Sequence, residues 1–236
     1  PEAVSYRSLL SDRSVLFFAI VTFIYHLANA AIVPLVAQYI SIGDERSSMV
    51  FTSAVLLLFY FAQAITAKIM MSAVKKLTAK SLIVCAHLVL PLRCAILATI
   101  IQWWDNKYAL CATQLLDGVG AGIYDTMIPI VVGRITEGTG RFGFTYGFIV
   151  TCWRMGHGLS YLLGESIVHL ASYQVAFLTH SAIGILSLVV LICGVHIPCE
   201  SEYKTTLDVS VTPGSVHTDP GHIHLTQSSL VQEEQA

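Results

Sequence analysis

The sequence predicts an all-α fold: a polytopic membrane helix bundle of six transmembrane helices. Composition, the spacing of apolar runs and the placement of charge all point that way. Hydrophobic residues fill 55% of the 236 positions and charged residues 12%, with a mean hydropathy of +0.69, whereas soluble domains carry about 25% charged residues. Apolar stretches of spanning length recur six times, at about 15–40, 48–73, 81–102, 108–135, 143–168 and 172–197, each near the roughly 20 residues a bilayer requires. Charge gathers at most of the joins: Asp44–Arg46, Lys75–Lys80, Asp105–Lys107 and Arg134–Arg141, with a short uncharged turn at Ala171.

Residues 1–14 read as a cytoplasmic N-terminal segment, 15–198 as the bundle and 199–236 as a disordered cytoplasmic tail rich in Ser, Thr, Glu, Gln and His. With the N-terminus inside, the cytoplasmic side holds Arg7, Arg13, Lys68, Lys75, Lys76, Lys80, Arg134, Arg141 and Lys204, and the opposite side only Arg46 and Lys107. That imbalance is a positive-inside bias and puts both termini in the cytoplasm. Trp103, Trp104 and Tyr108 stand where an outer aromatic belt belongs. The chain begins with Pro1, and no cleavable signal precedes the first apolar run, so the sequence reads as part of a longer gene product. A net charge of −2 speaks against nucleic acid as a partner.

In the first helix Thr22, His26 and Asn29 fall within about 60° of one another, followed by Pro34 and Gln38. The stripe fits either interhelical hydrogen bonding or a cavity wall. The second helix offers Thr52, Tyr60 and Gln63 on a shared side. The third holds Arg93 within VLPLRCAIL, and a charge at bilayer depth requires an internal partner or a polar path. Counting inward from the shared outer join, Arg93 and Asp117 reach one depth, which predicts a buried Arg93–Asp117 ion pair.

The fourth helix is the centre of the reading. On it Gly118, Gly122, Asp125, Pro129 and Gly133 lie within about an 80° arc. The glycines alone fit a close-packing seam; the aspartates require something more. The fifth helix is the most polar, with Gly147, Thr151, Arg154, His157, Gly158, Tyr161 and Glu165 within an arc of about 120°. Counting from the cytoplasmic join predicts a second pair, Arg154–Asp125. The sixth helix carries Gln174, Thr179, His180 and Ser187 in scattered positions and reads as peripheral.

The run LLDGVGAGIYDTMIPIVVGRITEGTGRF at 115–142 resembles the fourth helix and following cytoplasmic loop in the second half of major facilitator superfamily transporters, in a microbial branch. HLANAAIVPLVAQ at 26–38 and VLPLRCAIL at 89–97 are similar to the same branch. The resemblance implies helices seven to twelve of a twelve-helix carrier, with substrate held near the midplane between two halves. It also implies that the first and fourth helices of the half line the cavity, that the second and fifth frame it, and that the third and sixth are peripheral. It marks Gly138, Gly140 and Arg141 as the cytoplasmic loop motif. Two departures stand out. The loop SAVKKLTAKS lacks the glycine and acid of the family's pattern, and Asp125 and Arg154 replace a small and an uncharged residue.

These readings lead to a secondary carrier of a small solute, with Thr22, His26, Asn29, Gln38, Tyr60, Gln63, Asp125, Arg154, His157, Tyr161 and Glu165 along its pathway. Its partners are the lipid bilayer, the small-molecule substrate and a missing N-terminal six-helix half, from the same chain or a partner subunit. The rival is a truncated, non-transporting homologue acting as a membrane scaffold or receptor. Enzyme chemistry has little to stand on. HExxH, GxSxG and a phosphate loop ending in GK[ST] are all absent from the sequence, and no cofactor is implied. The six cysteines form no CxxC pair, and His217, His222 and His224 lack carboxylate or Cys company. Neither feature predicts a metal site.

Overall fold

The computed structural model describes residues 12–42 and 45–194, the side chains of 45–47 excepted. The expected segment 1–14 falls almost wholly outside these residues. So do the end of the sixth run, the tail 199–236 with its three histidines, and the side chains of Asp44–Arg46. All regular structure among the described residues is helical. In chain order the helices are α1 (Arg13–Asn29), α2 (Ile32–Ser41), α3 (Glu45–Ala73), α4 (Ala79–Trp103), α5 (Lys107–Ala112), α6 (Gln114–Ile135), α7 (Phe142–Leu170) and α8 (Tyr173–Gly194).

Local chemistry sets the ends. The Asp12 carboxylate accepts from the backbone N–H of Ser14 (2.7 Å) and Val15 (3.2 Å) and so starts α1. Thr78 does the same for α4, and Asn106 for α5. Asp105, at φ 43°, makes the tight turn between α4 and α5, and its carboxylate accepts from the Tyr39 hydroxyl at 2.7 Å.

Two of the expected helices are broken. The first run is interrupted at Ala30–Ala31, because Pro34 has no N–H for the Ala30 carbonyl and its ring crowds that carbonyl. The freed Ala31 N–H donates to Ser160 Oγ at 3.0 Å, a buried bond that ties the break to α7. The fourth run is interrupted at Thr113. There the Thr113 hydroxyl (2.7 Å) and the Gln114 amide (3.3 Å) both donate to the Leu110 carbonyl, competing with the backbone for it.

Among the described residues five segments are long and apolar enough to cross a membrane: Arg13–Ser41, Ser48–Ala73, Ala79–Trp103, Lys107–Ile135 and Tyr173–Gly194. The chain is therefore an all-α bundle of the integral, multi-pass membrane type. The fifth expected span, 143–168, does not meet the same test. At 29 residues α7 is long enough, but its His, Ser, Thr and Gly content, together with Arg154 and Glu165, dilutes its apolarity.

The long helices pack in pairs: α3 on α6, α4 on α8 and α1 on α7, with α1 also on α8 and α4 also on α6. Glycines permit the closest approaches. A Cβ on Gly156 would lie 2.5 Å from the Phe23 carbonyl oxygen, and one on Gly164 would lie 2.8 Å from Ala31 Cβ. The core runs through Phe18, Tyr25, Leu35, Leu97, Tyr124, Met127 and Phe177, all buried. On α8 the polar side chains His180, Ser181 and Ser187 are buried and the exposed face is aliphatic. Helix α3 presents Leu57, Tyr60, Phe61, Ile65 and Ile69 on the surface.

Candidate functional site

Arg93 and Asp117 lie at the centre of the bundle, one on α4 and one in the first turn of α6. Arg93 Nη1 is 2.7 Å from Asp117 Oδ1, with Arg93 fully buried and Asp117 4% exposed. The second guanidinium nitrogen, Nη2, donates to Gln114 Oε1 at 2.8 Å. Asn29, beside the break in the first helix, presents its side chain to the Asp117 carboxylate. Gln114 stands one helical turn before Asp117, a spacing visible in the sequence that places it on a neighbouring face.

Beside this pair opens a cavity of about 1050 Å³, walled by α1, α2, α3, α6 and α7. Eight of the sequence-derived pathway residues line it: His26, Asn29, Gln38, Tyr60, Gln63, Asp125, His157 and Tyr161. Trp153, Phe59, Val33 and Leu56 complete much of the wall. A smaller pocket of about 440 Å³ between α3 and α6 shares Tyr60, Gln63 and Asp125, so these three side chains separate the two spaces.

The other three pathway candidates lie elsewhere. Thr22 is fully buried behind the wall, where its hydroxyl accepts from the Tyr124 hydroxyl at 3.2 Å. Glu165 is exposed and accepts from Gln38 Nε2 at 2.8 Å, bracing α7 against α2. Arg154 is also exposed, its guanidinium 5.1 Å from the centre of the Trp153 ring.

The expected Arg154–Asp125 pair is therefore not formed. Asp125 Oδ2 instead accepts from Gln63 Nε2 at 2.8 Å, and Arg154 stacks on Trp153, a cation–π contact. Equal depth placed the two at one height but left their direction around each helix open. Asp125 turns toward α3, while Arg154 turns out over its neighbouring ring.

His26, Trp153 and His157 on the cavity wall continue into a cluster of buried rings behind it. His26 stacks on Trp153 with centroids 4.7 Å apart, and Tyr25 stacks on Tyr124 at 4.1 Å. His87, fully buried on α4, lies 4.7 Å from Tyr25 and 5.4 Å from Tyr124, and its Nδ1 is bonded to the Ile83 carbonyl. Trp153 Nε1–H donates to His157 Nε2 at 2.7 Å, and the same His157 nitrogen lies 3.0 Å from His26 Nδ1. A neutral imidazole nitrogen offers one in-plane lone pair, so Trp153 and His26 compete for it. His26 Nε2 is buried with no hydrogen-bond partner among the described residues. Trp153 and His157 stand four residues apart on one helix, a spacing visible in the sequence; Tyr25, His87 and Tyr124 gave no comparable signal.

The loop motif lies at one end of the bundle, away from the cavity's lining. Gly138 (φ 73°) and Gly140 (φ 65°) occupy the left-handed region that glycine tolerates best. Between them Thr139 donates to the Thr136 carbonyl at 2.6 Å and accepts from Arg141 N–H at 3.2 Å. Among the described residues His, Cys, Asp and Glu do not gather in threes, so none of them forms a cluster able to hold a metal ion.

Fold and site together define a membrane-embedded helix bundle with a solute-sized, partly polar cavity in one side. The family model of the Major Facilitator Superfamily matches residues 18–209. Two proteins of Mycobacterium tuberculosis, each described as an uncharacterized MFS-type transporter, one from strain CDC 1551 / Oshkosh and one from strain ATCC 25618 / H37Rv, are both 30% identical to this chain over 183 residues. The match covers 78% of this chain and 43% of each relative, so the chain spans under half the length of these curated relatives. The chain belongs to the major facilitator superfamily.

Proposed function

We propose that this chain is the C-terminal six-helix part of a secondary carrier that moves a small solute across a membrane by alternating access, with α7 as its fifth span and both termini cytoplasmic. A second six-helix half, from the same chain or a partner subunit, closes the other side of the cavity. The observation that carries this reading is the cavity of about 1050 Å³ whose polar lining comes from α1, α2, α3, α6 and α7. A volume of that order suits a small organic ligand. A passive anchor has no use for Asp125, three amides and two imidazoles turned to one space, since each costs free energy in hydrocarbon.

The break at Ala30–Ala31 supports the same reading, because discontinuous helices flank the binding sites of many carriers. Beside its buried Ile32, Leu35, Val36 and Ile40, α2 is tied to neighbouring elements by the Gln38–Glu165 and Tyr39–Asp105 bonds (2.8 and 2.7 Å). Solute flux is the test. Vesicles containing the protein are expected to accumulate at least one solute from a broad panel, and Gln63→Leu with Asp125→Leu is expected to abolish that flux while membrane insertion persists. Insertion and solute binding without flux across the whole panel would instead favour a scaffold or receptor.

A further inference from the structure

The geometry points to an organic cation with a substantial apolar part as the solute that this cavity accepts, its charge met by Asp125. This rests on reading the cavity as the solute site of a carrier. Among the described lining residues Asp125 is the one carboxylate, and no Lys or Arg lines the cavity. It is half-buried on α6, and among the described residues its hydrogen-bond partner is the neutral amide of Gln63, on Oδ2. A carboxylate at bilayer depth is costly unless a cation compensates it.

The nearest positive side chain does not fill that role. Arg154 acts on Asp125 electrostatically, but its guanidinium is exposed and held over the Trp153 ring. Arg93 is fully buried and committed to Asp117 and Gln114. Within this chain the position beside Asp125 is thus left without a cation, open to what enters the cavity.

The rest of the wall indicates what that cation carries with it. Tyr60 and Tyr161 are both partly exposed and line the cavity with Phe59, Leu56 and Val33. Aromatic faces attract desolvated organic cations, and aliphatic side chains take up apolar substituents. A small hydrated inorganic ion would find too few oxygens here, since such ions are held by six or more oxygen ligands. An anion would meet a like charge.

Two ions of nearly equal shape and opposite charge separate these possibilities: tetraphenylphosphonium and tetraphenylborate. Equilibrium binding is measured on the purified protein in detergent, with thermal unfolding recorded for each variant. Tetraphenylphosphonium is expected to bind and tetraphenylborate to bind far more weakly. Asp125→Asn should weaken tetraphenylphosphonium binding about tenfold or more without lowering the unfolding temperature, and Asp125→Glu should largely retain binding. Equal binding of the two ions to the wild type, or tetraphenylphosphonium binding untouched by Asp125→Asn, would overturn the proposal. The wild-type comparison stands even if a variant fails to fold. Flux of a neutral or anionic solute without tetraphenylphosphonium binding would leave the carrier reading intact and remove the cation. Asp125-dependent binding with no flux of any solute would do the reverse.

Discussion

Arg93→Leu and Asp117→Asn are each expected to destabilise the bundle by about 3–5 kcal/mol, the scale found when one partner of a buried ion pair is removed. The two charges lie 2.7 Å apart at almost zero exposure, in a region where neither water nor lipid headgroups can replace a lost partner. Arg93→Leu strands the Asp117 carboxylate with Asn29 as its remaining neighbour, and it also removes the donor on Gln114. Asp117→Asn leaves a buried guanidinium facing only neutral amide oxygens, with no countercharge. The readout is the yield of monodisperse protein and its unfolding temperature in detergent. Exchanging the charges, Arg93→Asp with Asp117→Arg, is expected to recover folding at least in part. Normal folding of both single variants would show that the pair contributes little to the fold.

Gly118→Val is expected to separate α3 from α6. A Cβ at position 118 would overlap the Phe59 carbonyl oxygen and sit 2.6 Å from Ala62 Cβ and 2.8 Å from Gln63 N. At Gly122 it would lie 2.7 Å from Thr66 Cβ and 2.8 Å from the Gln63 carbonyl oxygen. These neighbours are mostly backbone, so no flexible side chain can yield, and overpacking costs about 1–3 kcal/mol or more. The damage reaches the site, because Gln63 is the partner of Asp125. Gly158 provides the contrast: it sits in α7 with open space where a Cβ would go. Gly158→Ala should leave thermal stability unchanged or raised by about 0.5–1 kcal/mol, since alanine is the better helix former. Equal losses at 118 and 158 would argue against the packing seam.

The seam itself was legible, because Gly118 and Gly122 at four-residue spacing admit few uses in an apolar helix. Arg93 and Asp117 were legible for a related reason: a charge at bilayer depth has few affordable surroundings, so depth alone narrows its partners. Depth fixes height, however, and not direction around the helix axis. Depth alone therefore matches Arg154 to Asp125, while the folded chain gives Asp125 to Gln63 and Arg154 to the Trp153 ring. The two helix breaks were hidden for a different reason. Pro34 acts on a carbonyl four residues earlier, and Thr113 and Gln114 act through side-chain bonds that hydropathy does not register. Tyr25, His87 and Tyr124 sit on three helices far apart in sequence, and only tertiary packing gathers them into one cluster of rings.

The central claim is that the polar residues of α1, α3, α6 and α7 face a solute pathway and not lipid. Single cysteines at Tyr60 and Gln63, introduced into a cysteine-free background, test it with a membrane-impermeant thiol reagent applied to each side of sealed vesicles, and a cysteine at Thr139 marks the cytoplasmic side. Both positions should react from either face, in proportions that shift when a transported solute is added, while position 139 reacts from the cytoplasmic face alone. Cysteines at 60 and 63 that stay inert from both faces in folded protein would place these side chains against lipid or sealed protein, contradicting the pathway.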